Sequence, residues 1–108
     1  MYAQWQGSDR KMPAIGVLKG SISDSTSGAK IEYASVTLIN LRSNQIVSGA
    51  LSNKEGKFHI KEIPLGRYKA VIEFIGYKTR QFNLINIFPG QSGGVEQNLG
   101  DIKLSVSS

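Results

Sequence analysis

Cysteine is missing from the 108 residues. That excludes disulfides, thiol nucleophiles and thiolate zinc sites, but a cysteine-free chain suits a bacterial periplasm as well as cytosol. Histidine occurs once, as His59. A zinc site needs three or four ligands, so this chain offers too few. A Ser-His-Asp arrangement would have one available base and nothing in the sequence that gathers its partners. Carboxylates are sparse too: Asp9, Asp24, Asp101 and the glutamates at 32, 55, 62, 73 and 96. The Asp-x-Asn-x-Asp-Gly pattern of a calcium loop is absent, and Asn53-Lys54-Glu55-Gly56 puts a lysine where a ligand should stand. Asp24 and Asp101, on the first and last expected strands, are the one pair placed to share a calcium ion. No glycine-rich loop joins a strand to a helix, so nucleotide binding has no support.

Long apolar runs are also lacking. No stretch approaches the ~18 apolar residues of a membrane helix, and no segment of helical length keeps a helical apolar period, so no substantial helix is expected. The N-terminus lacks the charged and apolar regions of a signal peptide. Tyr2-Ala3-Gln4 resembles the tail of one, which places the expected mature start near residues 2–4. Residues 1–14 are polar, with Trp5 isolated among them, and read as a flexible leader ahead of one domain over 15–106.

What the chain does have is glycine at its corners. Gly20, Gly28, Gly56, Gly66 and Gly76 open or close apolar runs of period two, as residues suited to turns do. Strands are expected at about 15–23, 33–41, 46–52, 57–61, 67–75, 77–88 and 98–106. Their inward sides carry Leu18 and Ile22, then Ala34, Val36 and Leu38, then Phe58 and Ile60. Tyr68, Ala70, Ile72 and Phe74 follow, with Ile102 and Leu104 last. Pro64 cannot donate to a ladder, so 62–66 reads as a corner. The pattern predicts an all-β, seven-stranded antiparallel β-sandwich.

The formal net charge is +5, and its bulk falls between Lys54 and Arg80. Strand parity turns Lys57, His59 and Lys61 outward on one strand and Arg67 and Lys69 outward on the next. These five residues form the candidate partner-contact face, a field that attracts an acidic surface. The plainer reading is a solvated sheet face kept charged for solubility. Nucleic-acid binding wants exposed aromatics for stacking, whereas Phe58, Tyr68 and Phe74 share the buried parity.

Several segments in order carry a family resemblance: Gly20-Ser21-Ile22-Ser23-Asp24, Ala34-Ser35-Val36-Thr37-Leu38, Val47-Ser48-Gly49-Ala50, Gly56-Lys57-Phe58, Ile63-Pro64-Leu65-Gly66-Arg67-Tyr68, Phe74-Ile75-Gly76-Tyr77-Lys78 and Leu99-Gly100-Asp101-Ile102-Lys103-Leu104. Over about residues 16–106 the chain resembles the carboxypeptidase-regulatory-like domain, a prealbumin/transthyretin-like β-sandwich. Its Val-Ser-Gly-Ala and Ile-Gly-Tyr-Lys segments are similar to those at the N-terminus of TonB-dependent and related outer-membrane β-barrel proteins of Bacteroidetes. Lys30 stands where that family often has proline, and Asn53 where it often has aspartate.

The resemblance implies a noncatalytic accessory domain at the periplasmic face of the outer membrane. It would act through protein contacts in assembly, gating or energy coupling of a nutrient receptor, made by the basic face and by free sheet edges, since an open edge can pair with another strand. Its partners would be the plug and barrel of the same polypeptide, with periplasmic or inner-membrane coupling proteins as further candidates. Membrane contact would come only through the barrel. The family supplies no catalytic, cofactor or metal residues to carry over. Three alternatives stand beside it. A carbohydrate-binding module would use Tyr33 and Tyr77 as platforms. An adhesin would occur as tandem repeats. A transthyretin-like hydrolase depends on several histidines with an arginine, and His59 is the only histidine.

Overall fold

The computed structural model describes residues 13–90 and 94–107. Seven strands fill it: β1 (Ala14–Asp24), β2 (Ser35–Asn40), β3 (Ile46–Leu51), β4 (Lys57–Pro64), β5 (Gly66–Glu73), β6 (Arg80–Ile87) and β7 (Glu96–Leu104). They form a three-stranded sheet in the order β4-β1-β7 and a four-stranded sheet in the order β3-β2-β5-β6. Among the described residues there is no helix. The leader expected over 1–14, Trp5 included, lies outside the described residues except for Pro13 and Ala14, and Ala14 already belongs to β1.

The expected sandwich of seven strands is present, with one pairing of different sense. β1 and β7 run parallel, with Ile22 opposite Ile102 and Asp24 opposite Leu104. The chain reverses at each connection, so two odd-numbered strands point the same way. Placed side by side, they have to pair in parallel.

The inward residues meet in one core. Leu18, Ile22, Ala34, Leu38, Ile63, Ala70, Ile72 and Ile87 are completely buried, and Phe58, Tyr68, Ile102 and Leu104 nearly so. β4 keeps its inward face across an irregularity. Phe58 and Ile60 alternate inward as expected, but the next inward residue is Ile63, three positions on. Glu62, with φ of 56°, takes up the extra residue, and such a bulge restores the parity. The corner expected over 62–66 is thus tighter, with β4 running to Pro64 and β5 starting at Gly66.

β6 also begins later than its apolar pattern predicts. Gly76, at φ of 86°, closes a turn in which the Tyr77 N–H donates to the Phe74 carbonyl at 3.0 Å. Tyr77 then bridges to Val106, and the Lys78 N–H donates to the Ser105 carbonyl at 2.8 Å. Those backbone groups are taken by the C-terminal segment, so regular pairing with β5 waits until Arg80. Phe74, expected inward, is half-buried beyond the end of β5 and packs 5.8 Å from the Tyr77 ring.

Candidate functional site

Lys57, His59 and Lys61 are all exposed on β4, alternating with buried Phe58 and Ile60. The register extends their row across the outer face of the three-stranded sheet. His59 lies opposite Lys19, and Lys57 opposite Ser21. Lys19 and Ser21 in turn lie opposite Asn98 and Asp101 of β7. Lys19 is ion-paired with Glu96, and Lys103 with Asp101 at 3.0 Å. Each lysine draws its partner's carboxyl below the usual range, chiefly through the hydrogen bond it donates. Lys57 and Lys61 have no ion pair among the described residues, so the unneutralised charge gathers on β4.

The structure does not bring Arg67 and Lys69 to that row. β5 belongs to the other sheet, and Arg67 and Lys69 alternate there with buried Tyr68 and Ala70. Their outward direction is as expected, but it is the outward direction of the opposite layer. The five-residue basic face is therefore two faces, back to back across the sandwich. Its cause is the corner after Pro64, which carries the chain from one layer to the other, whereas the two strands had been expected to share one outward face.

The β4 row borders a groove of about 750 Å³, whose walls include Lys19, Lys57 and His59 on one side and Ala50 and Leu51 of β3 on the other. β3 forms the edge of the four-stranded sheet and pairs only with β2. Its six residues, Ile-Val-Ser-Gly-Ala-Leu, carry no charge. Ile46 is 72% exposed and Leu51 60%. The sequence points to free sheet edges as contact surfaces but does not single out β3 as one of them. The available signal was an apolar run free of lysine and proline, since edge strands normally carry such guards.

Elsewhere the polar groups are engaged in holding turns. The Asp24 carboxylate accepts the Thr26 and Ser27 N–H groups, each at 2.8 Å, and the Tyr77 hydroxyl at 2.6 Å. Those donors, Tyr77 foremost, pull its pKa down to about 2. Tyr77 is correspondingly pushed up by the carboxylate it serves. Tyr77 is thus half-buried and committed to this bond, which removes it as a sugar platform, while Tyr33 remains 65% exposed. Asp101 already accepts from Ser21, Ser23 and Lys103. The calcium pair expected from Asp24 and Asp101 consists of two carboxylates with donors of their own, and no three metal-ligating side chains gather among the described residues.

Buried Ser52 donates to the Ile31 carbonyl at 2.7 Å and accepts the Ala34 N–H at 2.9 Å. Asn53 accepts the N–H groups of Glu55 and Lys57, filling the turn role that aspartate often takes in the family it resembles. The Tyr68 hydroxyl donates to the Pro64 carbonyl at 2.6 Å.

Comparison with known proteins bears on this arrangement. The curated proteins include no match. Among solved structures, the chain is similar to BcpA, the major pilin subunit of Bacillus cereus, with a TM-score of 0.65 and 17% identity, over 87% of this chain and 31% of that one. The pilus 2b backbone protein of group B streptococcus aligns with a TM-score of 0.60 and 15% identity, over 87% of this chain and 42% of that one. The 5-hydroxyisourate hydrolase of Klebsiella pneumoniae aligns with a TM-score of 0.60 and 17% identity, over 93% of this chain and 95% of that one. At such identities the likeness is one of fold, and this chain spans less than half of either pilus protein. The sequence itself matches the carboxypeptidase regulatory-like domain over residues 17–100. With most of its length so matched, and with the two-layered all-β fold described above, the chain belongs to the carboxypeptidase regulatory-like domain family.

Proposed function

We propose that this chain is a noncatalytic contact domain at the periplasmic N-terminus of an outer-membrane TonB-dependent receptor, taking part in its assembly, gating or energy coupling. One observation carries the contact role: an uncharged, apolar edge strand stands open beside Lys57 and Lys61, which have no ion pair among the described residues, while the carboxylates and tyrosines inside the fold hold turns. A nucleophile with an adjacent base would support catalysis instead. His59 is exposed on a sheet face and has no hydrogen-bonded acid or hydroxyl partner among the described residues, which supports the noncatalytic reading. The receptor context is supported by the resemblance of the Val47–Ala50 and Ile75–Lys78 segments to receptor-borne members of the family.

Deleting the domain from the native protein tests the reading. Loss of substrate uptake or of barrel assembly is expected, and unchanged uptake with unchanged assembly overturns it. The likeness to two pilus proteins supports a second reading, a repeat within an adhesive surface protein. Tandem copies of the domain in the full reading frame would favour that second reading, and a plug followed by amphipathic barrel strands would favour the first.

A further inference from the structure

A β-sandwich has four sheet edges, and here they are guarded unequally. β4 carries Lys57 and Lys61, the Glu62 bulge and Pro64. β7 carries Glu96, Asp101 and Lys103, with Gly100 at φ of 74° where its register with β1 shifts. At the start of β6, the Arg80 guanidinium donates to the Lys103 carbonyl at 3.3 Å and lies 5.1 Å from the Phe82 ring, tying that side of the sandwich together. Charge, proline, bulges and covering contacts are the devices that keep an edge from pairing with a foreign strand. β3 has no charge or proline, and its one irregularity is at its start, where Val47 is skipped between the Ser48–Leu38 and Ile46–Ile39 pairs, leaving Ser48–Leu51 in regular register. Alternate residues of an antiparallel edge strand turn their N–H and C=O away from the one partner they have, so β3 offers a ready ladder.

We propose that β3 is a strand-addition site for an extended acidic segment of a partner protein, one that alternates β-branched and glutamate or aspartate side chains. An added strand would form its ladder with Ile46–Leu51 and run along the groove between β3 and β4. Alternate side chains of that strand face the same way. One set therefore packs beside exposed Ile46 and Leu51, and the carboxylates reach the side where Lys57 and His59 line the groove; Asp101 lines it too, with its carboxylate already paired to Lys103. Charge also selects the occupant at both ends of β3, where Arg42 precedes it and Lys54 follows. A second copy of this chain is a poor occupant for the same reason. Antiparallel β3–β3 pairing would bring Arg42 of one copy toward Lys54 and Lys57 of the other, and like charges placed together oppose association.

This inference rests on the contact-domain reading and names the partner chemistry at one surface. The test uses the full chain and a synthetic peptide about nine residues long alternating valine with glutamate, beside a control with lysine for glutamate. Backbone NMR with amide hydrogen exchange is expected to show shifts and new protection within Ile46–Leu51 for the acidic peptide. Leu51→Glu should weaken that binding at least about tenfold and leave thermal unfolding unchanged, because Leu51 is exposed. Lys57→Glu is the second variant should Leu51→Glu disturb folding, and it should weaken binding as well.

Equal or tighter binding of the lysine peptide would overturn the proposal. So would protection confined to β4, β6 or β7, pairing of β3 between copies, or no binding of the acidic peptide. In the native receptor, Leu51→Glu that preserves uptake while domain deletion abolishes it removes the edge site and leaves the contact reading. Deletion without effect removes the contact reading itself.

Discussion

The Tyr77 hydroxyl donates to the Asp24 carboxylate at 2.6 Å across 53 positions of sequence. It joins the end of β1 to the crossing segment before β6, where the Tyr77–Val106 bridge also sits. The Asp24 pKa falls to about 2 because Tyr77 and the Ser27 and Thr26 N–H groups all favour the charged form. A depressed carboxyl pKa contributes stability above the unfolded value of roughly 3.9, lost as pH drops toward the folded one. Acid unfolding followed by fluorescence should therefore set in between about pH 4 and pH 2, and Tyr77→Phe should shift its midpoint upward. Tyr77 itself is raised, so its share persists below about pH 10 and is lost as pH climbs past that.

Gly56 and Gly76 both have positive φ, at 76° and 86°, but their surroundings differ. A Cβ on Gly56 would lie 2.4 Å from the Ile22 carbonyl oxygen, and one on Gly76 would meet nothing within 4 Å. Gly76→Ala should cost only the left-handed penalty of about 1–2 kcal/mol. Gly56→Ala should cost distinctly more, because that oxygen is backbone and the Ile22 N–H is bonded to the Gly56 carbonyl at 2.7 Å. Chemical denaturation of both variants reads the difference.

Ser52→Ala should destabilise by about 1–3 kcal/mol. The loss leaves the Ile31 carbonyl and the Ala34 N–H without the hydroxyl that serves both, in a place where Ser52 is only 2% exposed. Urea midpoints with an unchanged slope would identify the effect as one on stability.

Two isoleucines three positions apart should behave oppositely. Ile72 is wholly buried and Ile75 is 89% exposed. Ile72→Ala is expected to cost about 2–5 kcal/mol, and Ile75→Ala no more than about 0.5 kcal/mol. Comparable losses at both positions would contradict the packing described.

The division of the basic residues between layers has its own consequence. Lys57→Glu with Lys61→Glu should weaken acidic-peptide binding about tenfold at low salt and flatten its salt dependence. Arg67→Glu with Lys69→Glu, on the outward face of β3's own sheet with β2 between them and the edge, should weaken binding less than the β4 pair does. Fluorescence anisotropy titrations at two ionic strengths measure both.

Alternation made much of this protein legible in advance. Phe58 and Ile60 against Lys57, His59 and Lys61, or Tyr68 and Ala70 against Arg67 and Lys69, announce which side chains go inside. A strand's side chains have a period of two whatever it pairs with. The same period carries no information about which sheet a strand joins. Lys61 and Arg67 look like neighbours on one hairpin, yet the corner after Pro64 sends them to different layers. Tyr77 has an apolar-looking place in its run, and only the approach of Asp24 makes it a hydrogen-bond donor inside the fold.

By itself, then, the sequence determined the all-β class, the turn positions, the inward residues and the outward charges, because these follow from local backbone preference and alternation. Tertiary structure alone decided that β7 lies parallel to β1, that the cations divide between two faces, and that the uncharged β3 stands at the edge of its sheet. Those outcomes depend on which distant segments meet when the apolar faces close over one another, and no local stretch of residues encodes that.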